Sequence, residues 1–268
     1  MTKRKYGIID THTHIGLSPR LYLPIKDADG LVQRMDSLGI AISFFTHTTL
    51  ICNYRDKYAL RETDEALDKY AGRLYTYVTY DARDSEGSIR YVRSRIGKRG
   101  IIGVKIHPSF NEISADDERF RPIWKLADRE GRVILSHSWD ISVRNPVQKL
   151  SHPSLFAKYL KEYKTVNLIL GHGGGKLDGC RTAVKICQEF SNVYVDLSGD
   201  CYTPGRIEYF TKHIGEDRIL FGSDCNWIDQ RTQLGMLLSK NFKEKTYEKI
   251  LFDNARRLFR NVLPKWNI

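Results

Sequence analysis

The stretch Ile8-Ile9-Asp10-Thr11-His12-Thr13-His14-Ile15-Gly16 opens on an apolar pair and carries two histidines two residues apart. Such a run reads as a β-strand. Alternate side chains of a strand share a face, so His12 and His14 point the same way. The run is the first of eight. Short, β-branched, nearly continuous apolar segments recur at Tyr6–Asp10, Ile40–His47, Leu74–Tyr80, Ile101–His107, Val133–His137, Asn167–His172, Val193–Ser198 and Ile219–Asp224. Hydrophobicity without clean alternation is the mark of strands buried on both faces.

Helical patterns fill the gaps. Asp27 is placed to cap a helix with Leu31, Val32, Met35 and Leu38 on one face, closed by Gly39. Phe120, Ile123, Trp124 and Ala127 repeat the pattern before Gly131, and Ile89, Val92 and Ile96 do so before Gly100. Leu155, Tyr159 and Tyr163 follow Ser154. Strand then helix, eight times over, predicts a (β/α)8 TIM barrel, occupying residues 1–268 as a single domain behind a short basic tail at 1–5. An open doubly wound sheet is the alternative, but no G-x-G-x-x-G follows the first strand.

Composition narrows the class. The chain has 268 residues, 41% of them hydrophobic, enough for one large buried core. No apolar run suits a signal peptide or a membrane span, so a soluble cytoplasmic protein is expected. The five cysteines, at 52, 180, 187, 201 and 225, form no C-x-x-C and are expected to be buried thiols. The net charge of +11 comes from scattered Lys and Arg, without the aromatic interleaving of a nucleic-acid module. It is read as a mild preference for anionic small molecules.

Six of the eight histidines, 12, 14, 47, 107, 137 and 172, fall at or beside the C-terminal end of an expected strand, and strand eight ends in Asp224. Barrel active sites are built at that end. Gathering so many ionisable groups at one mouth is costly unless they coordinate something. Neutral imidazoles suit zinc and related first-row ions.

The order Asp-x-His-x-His on strand one, His137 on strand five, His172 on strand six and Asp224 on strand eight resembles the amidohydrolase superfamily, and within it the "amidohydrolase 2" branch of hydrolases and decarboxylases. Gly103-Val104-Lys105-Ile106-His107-Pro108 and the closing Asn254-Ala255-Arg256-Arg257-Leu258-Phe259 are similar to that branch too. The resemblance implies one divalent ion, zinc first with manganese or iron as alternatives, held by His12, His14, His137 and Asp224. It implies that Asp224 is also the general base and that His172 orients water or polarises a carbonyl. His107, Lys105 and Trp227 are expected to contact substrate. In binuclear relatives a carboxylated lysine on strand four bridges two ions, and Lys105 is placed to be that residue.

The implied activity is hydrolysis of an amide, lactone or ester in a small anionic substrate. The alternative is non-oxidative decarboxylation of a small carboxylic acid. A TatD-like deoxyribonuclease is disfavoured because strand four offers Lys105 and His107 in place of an acidic ligand. Asp10 is expected to face the helices and bond beneath the site, and His47 to be an ordinary strand-end histidine. The glycines of Gly171-His172-Gly173-Gly174-Gly175-Lys176 do not form a phosphate loop, because Leu170 and Leu177 occupy two of its fixed positions. Arg55, Arg144 and Arg206 are placed in loops at the active end. Trp139 and Trp227 are candidate pocket walls, and Trp266 leaves a homodimer open.

Overall fold

The computed structural model describes residues 7–18, 21–141 and 144–263. Tyr6, the basic tail and Trp266 lie outside these. Eight parallel strands run in sequence order: β1 Ile8–Ile15, β2 Ile40–His47, β3 Leu74–Tyr80, β4 Ile101–Ile106, β5 Val133–His137, β6 Leu168–Gly171, β7 Val193–Asp196 and β8 Ile219–Leu220. The sheet closes where β1 meets the chain after β8. Thr11 N–H donates to the Phe221 carbonyl at 2.9 Å, Asp224 N–H to the His12 carbonyl at 2.8 Å, and Thr13 bridges Cys225. Each strand is followed by a helix: α1 Ala28–Leu38, α2 Lys57–Lys69, α3 Ser85–Arg95, α4 Arg121–Glu130, α5 Ala157–Glu162, α6 Asp178–Glu189, α7 Arg206–Ile214 and α8 Gln230–Leu238. This is the (β/α)8 barrel expected from the sequence.

Two apolar layers hold it. The inner layer fills the barrel and includes Ile9, Phe44, Tyr77, Ile102, Leu135 and Ile169; it is plugged by Phe252, Ala255 and Phe259 from the closing helical segment. The outer layer joins strand residues such as Val104, Ile134, Leu168 and Val195 to helix residues such as Leu31, Trp124 and Phe210. Parallel strands between two apolar layers explain the near-continuous hydrophobicity of their sequences. The α1 pattern is reproduced closely. Asp27 accepts from Gly30 N–H at 2.8 Å, and Gly39 ends the helix at φ 70°. Replacing Asp27 by Ala should cost about 1 kcal/mol. A thermal melt should show this as a fall of roughly 2–4 °C.

Strand one differs from expectation. It runs on past Asp10 through both histidines, because they point into a lined cavity rather than end the strand. Strict alternation would put Asp10 on the same face as His12 and His14. A register shift between Asp10 and Thr13 changes the phase. Ile9 packs inside the barrel while Ile15 packs in the outer layer, so the histidines face inward and Asp10 does not. Asp10 instead accepts from Ser223 N–H at 3.0 Å and from Gln230 Nε2–H at 2.9 Å on α8. Strand eight is shorter than expected, pairing only over Ile219–Leu220 before the chain turns toward the mouth.

The five cysteines are free thiols, four of them buried. Among the described residues, no helix is long and apolar enough to cross a membrane.

Candidate metal and active site

At the C-terminal end of the barrel lies a cavity of about 470 Å³. His12, His14, Lys105, His107, His137, His172, Asp224 and Trp227 all line it, so every site residue expected from the sequence reaches one place. Trp139, Phe110 and Gln148 join them.

The imidazoles of β1 are oriented for a cation. His12 Nδ1–H donates to Asp196 Oδ2 at 2.8 Å, and His14 Nδ1–H donates to the Thr46 carbonyl at 3.2 Å. A neutral imidazole with a proton on Nδ1 carries its lone pair on Nε2. Both Nε2 atoms face Asp224 Oδ1, at 3.7 Å from His12 and 3.0 Å from His14. The donor atoms of His12, His14 and Asp224 lie within 4.8 Å of one another and all three residues are buried. Two imidazole lone pairs and a carboxylate fit a divalent first-row ion. A second group, His12 with His172 and Asp196, meets the same distance limit.

Burial alone would raise the Asp224 carboxyl, but His172, His14 and His12 outweigh it and hold the group well below the usual range. Asp224 and His172 both sit in the left-handed region, at φ 65° and φ 61°. Non-glycine residues adopt that conformation at a cost, and such strain gathers at functional sites. Gly173, Gly174 and Gly175 continue the left-handed turn after His172, which is why that segment is glycine-rich. His172 Nδ1–H meets Ser198 Oγ at 2.9 Å, which leaves Nε2 as its acceptor.

His137 shares the cavity but belongs to neither clustered group. Its ring stacks on His107 with centroids 4.1 Å apart and planes within 9°, and Trp139 lies nearly parallel to it with centroids 5.8 Å apart. Its Nε2–H donates to Gln148 Oε1 at 2.7 Å. His107 Nδ1 accepts from Phe110 N–H at 3.2 Å. Burial, then the neighbouring cations and imidazoles, hold both rings well below the ordinary histidine value. Trp227 stacks on His14 at 5.1 Å, with Phe110 edge-on to it at 6.2 Å.

Lys105 lies between Val104 and Ile106 of the outer layer, so it projects inward. It is 1% exposed, and Nζ donates to His12 Nε2 at 2.9 Å. Burial pushes its ammonium down to about 8, which still leaves it mostly charged at neutral pH.

Other sequence candidates fall elsewhere. His47 bonds Glu62 Oε2 at 2.8 Å and caps a short helix, an ordinary structural role. Arg55 pairs with Asp84 on the surface and Arg144 is exposed. Arg206 is buried and donates from Nη2 to the His172 carbonyl, a contact behind the cavity. Asp196, Ser198 and Gln148 were not singled out from the sequence. Asp-x-Ser at the end of strand seven carried the same strand-end signal as Asp224, but nothing in the chain linked it to a histidine 184 positions away.

A family model described as amidohydrolase matches residues 9–260. The chain belongs to this family. No curated protein matches it. Solved structures share its fold. A dihydroxybenzoic acid decarboxylase from a Polaromonas species, with bound manganese and 2-nitroresorcinol, superposes with a TM-score of 0.76 at 17% identity, covering 95% of this chain and 97% of that one. A 5-carboxyvanillate decarboxylase from Novosphingobium aromaticivorans, with manganese and a nitrobenzoic acid, gives 0.73 at 16% over 96% of each chain. A 2,6-dihydroxybenzoate decarboxylase from Rhizobium gives 0.72 at 16%, over 95% and 99%. At these identities the likeness establishes the barrel. Family, fold and the two buried His/Asp groups describe a metal-binding barrel enzyme of the amidohydrolase superfamily.

Proposed function

We propose that this protein is a metal-dependent, non-oxidative decarboxylase of a small aromatic acid. The observation that carries the reading is the cavity itself. Its floor gathers one buried ammonium, five imidazoles and the Asp224 carboxylate; flat rings wall it, at Trp139, Phe110 and Trp227. The activities named for the structural neighbours point the same way. The hydrolase reading placed first on the sequence becomes the second. What favours it is the matching family model, since Asp224 and His172 suit water activation equally well.

His12, His14 and Asp224 would hold the ion, with His137 as the fourth ligand that the resemblance implies. The ion, zinc or the manganese seen in two neighbours, supplies a fixed positive charge against a bound anion. The chain's own groups do the rest. Lys105 Nζ pairs with the substrate carboxylate, Trp227 and Phe110 position the ring, and the apolar walls keep water away. As the carbon–carboxylate bond breaks, its electron pair stays on the ring carbon. Asp224, ionised at rest, takes a proton from a water molecule and passes it to that carbon, and carbon dioxide leaves. Spreading charge from a compact carboxylate into a ring is helped by walls that solvate the compact anion poorly. Asp224 ends as the carboxylate it began as, and the hydroxide left from the water is taken up by carbon dioxide as bicarbonate. His172 Nε2, with Nδ1 tied to Ser198, hydrogen-bonds the reacting group.

The test is product analysis. Metal-loaded protein should convert a member of an aromatic-acid panel to a product lighter by carbon dioxide, with the gas released in equal amount. A product heavier by one water, from an amide or lactone panel, would replace this reading with hydrolysis. Lys105→Met should keep the metal content of the wild type and weaken binding of a benzoate probe by at least about tenfold in calorimetry. Loss of an ion in that variant would instead support the binuclear arrangement with a carboxylated Lys105.

A further inference from the structure

Asp196 is fully buried at the end of β7 and has four hydrogen-bond donors around it. Oδ2 accepts from His12 Nδ1–H at 2.8 Å. Oδ1 accepts from the His172 backbone N–H at 2.8 Å, the Ser198 backbone N–H at 3.0 Å and the Ser198 hydroxyl at 2.5 Å. The same hydroxyl oxygen lies 2.9 Å from His172 Nδ1 and 3.0 Å from His12 Nδ1. Ser198 has one proton, and the short contact gives it to Asp196. Its oxygen therefore accepts from His172 Nδ1–H.

We infer that Asp196 is a positioning residue which, directly and through Ser198, fixes the tautomers of His12 and His172 together. One carboxylate then prepares two imidazoles with different tasks. His12 is held with its Nε2 lone pair toward His14 and Asp224, and His172 with its Nε2 toward the cavity. The inference rests on the reading of His12 as a metal ligand. The competing assignment makes His12, His172 and Asp196 a second metal group. The hydrogen bonds argue against it, because a carboxylate has about four acceptor positions and Asp196 has four donors around it. The Nδ1 atoms of His12 and His172, on the side of Asp196 and Ser198, are committed as donors.

An amide cannot replace this carboxylate. In Asp196→Asn, an NH2 facing His12 forces Nδ1 to accept and moves the proton to Nε2, where a ligand lone pair is needed. If the amide turns round, its NH2 faces three donors instead. Outer-shell partners of ligating histidines carry about 10- to 100-fold in metal affinity.

The experiment is zinc titration of wild type, Asp196→Asn and Ser198→Ala by calorimetry, with nitrogen-15 histidine spectra of wild type and Ser198→Ala. The expected result is one ion in all three proteins. Affinity should fall about 10- to 100-fold in Asp196→Asn and less than about threefold in Ser198→Ala. In wild type, His12 and His172 should both show a protonated Nδ1, and in Ser198→Ala only His172 should become a tautomer mixture. Two ions in wild type and one in Asp196→Asn would make Asp196 a ligand and overturn the inference. So would unchanged affinity in a folded Asp196→Asn, or a protonated Nε2 on either ring in wild type. If Asp196→Asn does not fold, the wild-type tautomers decide. If wild type takes up no zinc, the metal reading fails separately, and the tautomers still decide the role of Asp196.

Discussion

Asp224→Asn should leave a folded barrel whose turnover falls by about a thousandfold or more. The fold should survive because asparagine matches aspartate in shape and is among the few side chains that tolerate the left-handed conformation found there, φ 65°. Circular dichroism and the melting temperature should therefore stay near wild type. What the change removes is chemistry. The amide has no proton to give and cannot take one, and general acid–base groups typically contribute about 10²- to 10⁴-fold. It also replaces an anionic donor with a neutral one beside His12 and His14, so metal affinity should weaken as well. The turnover loss must therefore be measured with metal in saturating excess. Turnover within tenfold of wild type under those conditions would remove Asp224 from the proton path.

His12→Ala should abolish stable metal binding. His12 is the residue common to both clustered groups, so its loss breaks either arrangement. The deletion has a second cost. Asp196 would lose the ring against Oδ2 and remain buried with a charge, and Lys105 would lose the acceptor of its Nζ. Leaving a buried charged group short of a hydrogen-bond partner costs about 1–3 kcal/mol. The variant should thus melt well below wild type even when both are stripped with chelator, whereas His14→Ala should lose metal with a smaller fall, because His14 Nδ1 bonds only a backbone carbonyl. Melting curves with and without chelator, alongside elemental analysis, separate the two effects. A His12→Ala protein that retains a full ion after dialysis would show that ligation lies elsewhere.

The barrel was legible because each of its units obeys local rules. The expected bounds of β2, β3 and β5 coincide with those observed, and Asp27 and Gly39 end α1 where their chemistry requires. Long apolar runs and capped helices are determined within a few residues of chain. The failures were of a different kind. The end of β1 was set at Asp10, yet the strand runs to Ile15 across a register shift against β2 that no local pattern contains. Strand eight is cut short because its continuation is bonded to β1 and turned by the Asp224 conformation. Among site residues, the histidines and Asp224 stood out because histidine is scarce and recurred at strand ends. Asp196 and Ser198 did not, because an acidic or hydroxyl residue after a strand is common. Their importance arises from distances to His12 and His172 that exist only once the barrel closes. Arg206 shows another limit: a loop position at the active end carried no sign that the side chain would be buried against the His172 carbonyl.

The most direct test of the account is the metal content of the wild-type chain, purified with manganese or zinc supplied, dialysed against buffer and measured by elemental analysis. The account predicts about one divalent ion per chain, removable by chelator and restored on adding it back. A supplemented wild-type protein that holds no ion would contradict it, and the paired histidines of β1 would then be polar residues around a cavity with some other purpose.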